Sequence, residues 1–462
     1  MSVGKKNPAK RFFAALGPGL VTGAADDDPS GIATYSMAGA RFGTGMLWTA
    51  LLTWPLMAVV QMMCARIGLV TGMGLMQSLR KKFPRPLIVL FALALFLANT
   101  MNIGADLLGM ADAAEMLVGV KAGFFVVLFG VVITVTSVKC DYQQIARILK
   151  WLCLVLFAYV VTGFIIKPDW RVVAHDTIMP SLPRGHEAIQ MLVAILGTTI
   201  SPYLFVWQAS QEVEEEKAQG LNRVWLRAGA SQKTINTRAL DVGAGTFFSN
   251  LVMYFIILTT GLTLHRHGIT NIESSKQAAE ALRPLAGSFA ATLYTLGVVG
   301  VGLLSIPTLA GSAAYAFAET FAWKQGLNEK PKAAWRFYAV FILSVAAGMA
   351  LYFFKMNPVK VLYWSAIVNG VLAPFLLTAI VFVASDARLM KKQPSSMVAR
   401  VCVGLTALLM YAAAAGMLLF YGANTPLCVL AGPRVHICLR LPSGGDFHVR
   451  LHPESSPERT KV

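Results

Sequence analysis

The sequence predicts an all-α polytopic membrane protein built from two inverted five-helix repeats and one added helix, with the first and sixth helices broken. Three observations carry this. Of its 462 residues 56% are hydrophobic and only 14% are charged, well below the near quarter of charged residues in soluble domains. The apolar residues fall in runs of roughly 20, the length that crosses a hydrocarbon core about 30 Å thick. Two of those runs are interrupted by a proline beside polar residues, "ADDDPSGIA" (Ala25 to Ala33) and "GTTISPYLFVWQ" (Gly197 to Gln208).

Windows of spanning length give about eleven candidates, near residues 14–41, 46–72, 87–108, 121–138, 149–167, 188–212, 239–263, 288–318, 335–354, 360–384 and 400–421. They divide into a short N-terminus (1–13), a first five-helix repeat (14–167), a second (168–384), an eleventh helix (400–421) and a tail (422–462). The net charge of +17 would suggest nucleic acid in a soluble chain. Here Lys and Arg crowd alternate loops, which places the N-terminus in the cytoplasm and, with an odd number of spans, the C-terminus outside. The tail alternates weakly, like a hairpin, and is expected to be poorly ordered. Six cysteines, Cys64, Cys140, Cys153, Cys402, Cys428 and Cys438, form no CxxC pair, so no zinc or redox motif is readable. Only Cys428 and Cys438 are placed to pair. The basic N-terminus lacks an A-x-A site, and no cleaved signal peptide is expected.

Each interrupted span carries a proline, Pro29 or Pro202, which removes an amide donor and clashes with the preceding turn. The result is two half-helices whose unpaired backbone groups must line a polar cavity, because lipid cannot satisfy them. Spans one and six head the two groups of five, and matched breaks in two halves point to an inverted-repeat carrier with a midplane site. Three carboxylates, Asp26, Asp27 and Asp28, cannot all face lipid, since each would cost at least about 2.5 kcal/mol there. One reading makes them a solvated N-cap, with Asp28 or Ser30 capping a half-helix from Ile32. The other gives them a cation. Asp28, the Ser201 hydroxyl and freed carbonyls are hard oxygen ligands suited to Mg²⁺, Mn²⁺ or Ca²⁺, with no cysteine or histidine close by.

These residues resemble the NRAMP family of divalent metal transporters. "LGPGLVTGAADDDPSGIATYSMAGARFGTGMLW" looks like the family's first helix, with its D-P-G-N element, "QMMCARIGLVTG" (Gln61 to Gly72) like its second, and "GADL" (Gly104 to Leu107) like part of its third. The resemblance implies a LeuT-type fold. It also implies that Asp28 is the metal-binding aspartate and that Thr198 lends a carbonyl. The departures are informative. Ser30 and Gly31 stand where the family ends its motif in a ligand asparagine, and Ser201, Pro202 and Tyr203 stand for its M-P-H. Losing a thioether shifts preference toward hard ions, and small side chains leave room for a partly hydrated Mg²⁺. The pattern is similar to the NRAMP-related magnesium transporter branch. Tyr203 in place of the histidine, with an ordinary pKa of about 10, is a poor proton relay.

The expectation is therefore uptake of Mg²⁺ or Mn²⁺ by alternating access, with weak or absent proton coupling, no cofactor, a lipid-embedded chain in a bacterial inner membrane, and no nucleic-acid partner. The sequence leaves the oligomeric state open, and a monomer is compatible with it. The expected site comprises Asp28, Ser201, Thr198, Gly31 and Ser30, with Asp26, Asp27, Tyr203, Asp106, Gln208 and Asn369 along the path. Asp106 pairs naturally with Arg66 or a passing ion. Arg66 and Asn250 read equally as interhelical hydrogen-bonding groups, and the run Glu212 to Glu216 as a solvated cytoplasmic edge. A proton-coupled Mn²⁺/Fe²⁺ symporter and an organic-substrate symporter of the same fold are the alternatives. An amino-acid substrate is disfavoured because three aspartates repel its carboxylate. A channel would also use broken helices. An enzyme is not expected: there is no second acidic cluster, no nucleophile beside a base and no phosphate loop.

Overall fold

The structure is a computed structural model that describes residues 22–23, 25–139, 154–183, 185–424, 427–430, 436–440 and 448–452. The principal helices are α1 (Pro29–Phe42), α2 (Trp48–Thr71), α3 (Arg85–Val118), α4 (Ala122–Lys139), α5 (Phe157–Ile165), α6 (His186–Thr199), α7 (Pro202–Ala218), α8 (Gln232–Thr263), α9 (Ala290–Phe321), α10 (Trp335–Ala350), α11 (Pro358–Ser385) and α12 (Met397–Asn424). Among the described residues nine helical stretches are long and apolar enough to cross a membrane. They match the expected spans two, three, four and six to eleven. The beginnings of the first and fifth spans lie outside the described residues, as do Cys140 and Cys153.

Local chemistry explains the breaks. Asp28 is extended (φ −66°, ψ 169°), and its Oδ1 accepts a 2.7 Å hydrogen bond from the Gly31 amide. Proline follows at the first helical position, where the missing donor costs nothing. α6 stops at Thr199, Ile200 and Ser201 are non-helical, and Pro202 opens α7. Both interruptions expected from sequence are therefore present.

Packing then closes around them. α1 lies along α8, α6 along α11, α3 along α9, and α7 along α2. Glycine sets the tightest of these approaches. A Cβ on Gly197 would sit 2.0 Å from the Ala366 carbonyl oxygen, and one on Gly39 2.3 Å from that of Ile257. Such small-residue crossings let backbones meet where lipid provides no hydrophobic drive.

In the tail, Leu427–Leu430, His436–Arg440 and His448–His452 form an antiparallel three-stranded sheet. The expected hairpin is its second and third strands, and Cys428 stands opposite Cys438 in the register of the first two.

Candidate functional site

The two breaks face each other, and the contacts across them are specific. The Tyr203 hydroxyl, one residue into α7, donates to the Ala25 carbonyl at 3.1 Å. Gly31 sits beside Thr198, so that a Cβ there would lie 3.2 Å from the Thr198 hydroxyl and 3.5 Å from the Asp26 carbonyl oxygen. This joins the start of α1 to the end of α6, with freed carbonyls on both sides.

Four carboxylates gather here. Asp26, Asp27, Asp28 and Asp106 are each exposed by 4% or less, and among the described residues none makes an ion pair with Lys or Arg. The capping role of Asp28 is real, but it is exercised in the interior and on a helix that starts at Pro29, so the solvated-cap reading fails on burial. Ser249 of α8 donates to Asp26 at 2.8 Å and to Asp27 at 3.1 Å. Asn102 of α3 donates from one nitrogen to Asp28 (2.9 Å) and to Asp106 (3.3 Å). Asn369 of α11 donates to the Asn102 carbonyl oxygen at 3.3 Å, and Ser305 of α9 to Asp106 at 3.4 Å. Buried polar groups of this kind are stable only when partnered. Even so, Oδ1 of Asp26, of Asp106 and of Asn369 has no hydrogen-bond partner.

Several expected roles change. Ser30 turns away from the gap and donates to the Leu362 carbonyl (3.0 Å), beside Ser365, fastening α1 to α11. Ser201 donates back to the carbonyls of Gly197 (3.0 Å) and Thr198 (2.7 Å), partly satisfying the oxygens that the break frees. Arg66 does not pair with Asp106, because its guanidinium bonds the Gln393 and Pro394 carbonyls in the loop before α12. Asn250 is an interhelical bridge, accepting from Thr53 at 2.8 Å. Gln208 lies two turns beyond Ser201 and donates to Glu212 at 2.7 Å. Glu212 is fully buried rather than a solvated edge, since Arg238 of α8 pairs with it at 2.8 Å, with Asp241 at 2.7 Å and with Glu215. A buried cation compensates what the sequence showed only as a row of acids.

Ser249 and Ser305 escape sequence reading. A hydroxyl in a spanning helix ordinarily bonds the carbonyl one turn back, so nothing local marks these two. Among the described residues no three His, Cys, Asp or Glu side chains converge as a metal-ligand set. Any cation here would rest on single carboxylates, amides, hydroxyls and carbonyls, a hard oxygen environment.

A helical membrane bundle with two opposed broken helices around buried polar groups defines an inverted-repeat secondary transporter. The chain belongs to the natural resistance-associated macrophage protein-like (Nramp) family, whose profile matches residues 19–420. It is 27% identical over 304 residues to the divalent metal cation transporter MntH of Klebsiella pneumoniae (strain 342), covering 65% of this chain and 71% of that one. It is 27% identical over 313 residues to MntH of Yersinia pestis (strain Pestoides F), covering 66% and 73%. In fold it is similar to the Eremococcus coleocola manganese transporter, with a TM-score of 0.73 at 15% identity over 91% of this chain and 89% of that one. It is also similar to Mhp1, a nucleobase-cation-symport-1 family transporter, at 0.52 and 15% identity over 88% and 91%. The LeuT-type fold is thus established, and the family and relatives are transporters, not enzymes.

Proposed function

We propose that this protein carries divalent metal cations across a bacterial inner membrane by alternating access, with Mg²⁺ or Mn²⁺ as cargo and weak or absent proton coupling. The observation that carries this reading is the group of four buried carboxylates at the paired breaks, unmatched by a basic side chain among the described residues. A divalent cation supplies the missing charge, and Asp28 lies at the break itself. The relatives' names, divalent metal cation transporter and manganese transporter, support a metal as cargo. Preference for a hard ion follows from the family's methionine thioether and histidine being absent at Ser201 and Tyr203, which leaves carboxylates, amides and carbonyls, and such oxygen ligands suit Mg²⁺ and Mn²⁺ better than softer metals. Entry is then driven by the membrane potential, about 2.3 kcal/mol per charge per 100 mV. Gln208 and the vestibule acids Asp26 and Asp27 lie along the inner path, and the N-terminus is cytoplasmic.

Proteoliposomes test this. The protein should take up Mg²⁺ or Mn²⁺ in proportion to an imposed potential without acidifying the lumen, and D28A should abolish uptake while S201M raises Cd²⁺ binding. Metal-linked proton influx would instead favour the proton-coupled Mn²⁺/Fe²⁺ symporter, a reading that buried Asp106 supports. Normal transport by D28A would refute the site.

A further inference from the structure

The Asn102 amide occupies an unusual position. One nitrogen, with two hydrogens to give, serves a carboxylate on each side: Asp28 Oδ2 at 2.9 Å and Asp106 Oδ2 at 3.3 Å. The two accepting oxygens are therefore within about 6 Å of each other. A divalent ion with oxygen ligands at about 2.0 to 2.6 Å holds two of them at most roughly 4 to 5 Å apart, when they lie on opposite sides of it, so the position that joins these acids through a nitrogen can join them through a cation once the two oxygens draw together.

The neighbouring amide supplies the second observation. Asn369 is 2% exposed and gives its Nδ2 to the Asn102 Oδ1 at 3.3 Å, while its own Oδ1 has no hydrogen-bond partner. Asp106 Oδ1, fully buried, is likewise unpartnered. An asparagine presents a donor or an acceptor according to a half-turn of its terminal torsion. If Asn102 turns, its Oδ1 faces the two carboxylates, which is repulsive unless a cation lies between them. Its Nδ2 then faces Asn369, and if Asn369 turns with it, the oxygen now lacking a donor receives one. Two paired amides thus have two arrangements, one closed by hydrogen bonds alone and one completed by an ion.

Resting on the transport reading above, we propose that Asn102 is a displaceable stand-in for the transported divalent cation. Its N–H₂ group bridges Asp28 and Asp106, the incoming ion takes that place, and Asn102 and Asn369 turn together so that the Asn102 carbonyl oxygen becomes a ligand. The ion's ligands are then Asp28, Asp106 and the Asn102 oxygen, an all-oxygen set selecting hard divalent ions. The stand-in keeps a hydrogen-bond donor on both acids when the ion leaves, so release does not leave the two ligand oxygens unpartnered.

N102D separates this from a purely structural hydrogen bond. A carboxylate cannot donate to its neighbours and adds a charged ligand, and binding strength in oxygen sites rises with ligand charge. Calorimetric titration of the purified full-length protein with MgCl₂ and MnCl₂ should show binding tightened by about tenfold or more, with KM for uptake lowered and maximal rate reduced by a similar factor. A structural role alone predicts weaker binding and slower uptake together. The exchange variant D28N/N102D keeps one amide and one carboxylate in place, and should bind Mg²⁺ at least about tenfold more tightly than D28N alone. If N102D binds no more tightly than the parent, or if it does not fold and the exchange variant fails to improve on D28N, the inference is overturned. If the parent binds neither ion, the transport reading falls and takes the inference with it.

Discussion

Tyr203 shows what a single side chain contributes at the breaks. Its buried hydroxyl donates to the Ala25 carbonyl and its own carbonyl accepts from Ser312 of α9 at 2.8 Å, so one residue links the two interrupted helices to the scaffold. Y203F leaves a buried carbonyl without that donor and should cost about 1 to 3 kcal/mol. Thermal unfolding of the detergent-purified protein measures it, and an unchanged midpoint would mean that water replaces the hydroxyl. Ser30 makes a related point. It stands two residues from Asp28, the proposed ligand, yet serves α11, because the helical turn beginning at Pro29 rotates it away from the gap.

Among the elements, α7 has most to say about gating. Its Glu212 and Glu215 are held by Arg238 of α8, while its Ser210 donates at 2.9 Å to Glu319 of α9. That carboxylate in turn accepts from the Met76 and Gln77 amides at 2.9 and 3.2 Å. This half of the sixth span is therefore fastened on two sides, and any movement that frees it must break both. R238A removes the cation from buried Glu212. Removing one partner of a buried ion pair costs about 3 to 5 kcal/mol, so the unfolding midpoint should fall clearly, and a cysteine placed at Gln208 should react faster with an aqueous maleimide. Unchanged labelling would show that Arg238 does not restrain α7. At the α6–α11 crossing, G197A drives a methyl against the Ala366 carbonyl and should destabilise by about 1 to 3 kcal/mol.

For the whole molecule, the proposed alternating access has α1, α6 and α7 rock against a frame of α3, α4, α9 and α10, and the loops at the bundle's end can be tested separately. Lys82, just before α3, bonds Asp386, just after α11, at 2.7 Å. That bond, aided by the Leu389 amide, holds the Asp386 carboxyl down at about 2. A depressed folded value means that the pair stabilises above the ordinary carboxylate pKa of about 3.9 and that this is lost as pH falls from there through 2. Both groups are partly exposed, so the effect is small. D386N should lower the unfolding midpoint slightly at pH 7 and much less near pH 2, where about half of the parent's carboxylate is itself protonated. A difference that persists in acid would point to the amide bonds rather than the charge.

The sequence by itself determined the architecture. Spans of membrane length, prolines at Pro29 and Pro202 in matching positions and the motifs around Asp28 are local features, and the bilayer forces their meaning because unpaired backbone cannot face lipid. Only the tertiary structure decided which polar groups meet. Asn102 lies 74 positions from Asp28, Ser249 more than 220 from Asp26 and Asp27, and Arg238 is separated from Glu212 by a turn and a short helix. Hydrogen bonding acts over about 3 Å whatever the chain separation, so partners set by helix packing leave no trace in the spacing of residues. The same limit explains why Ser30 and Ser201 read as ligands from "DPSG" and "ISPY", when in the fold one holds α11 and the other closes its own helix end.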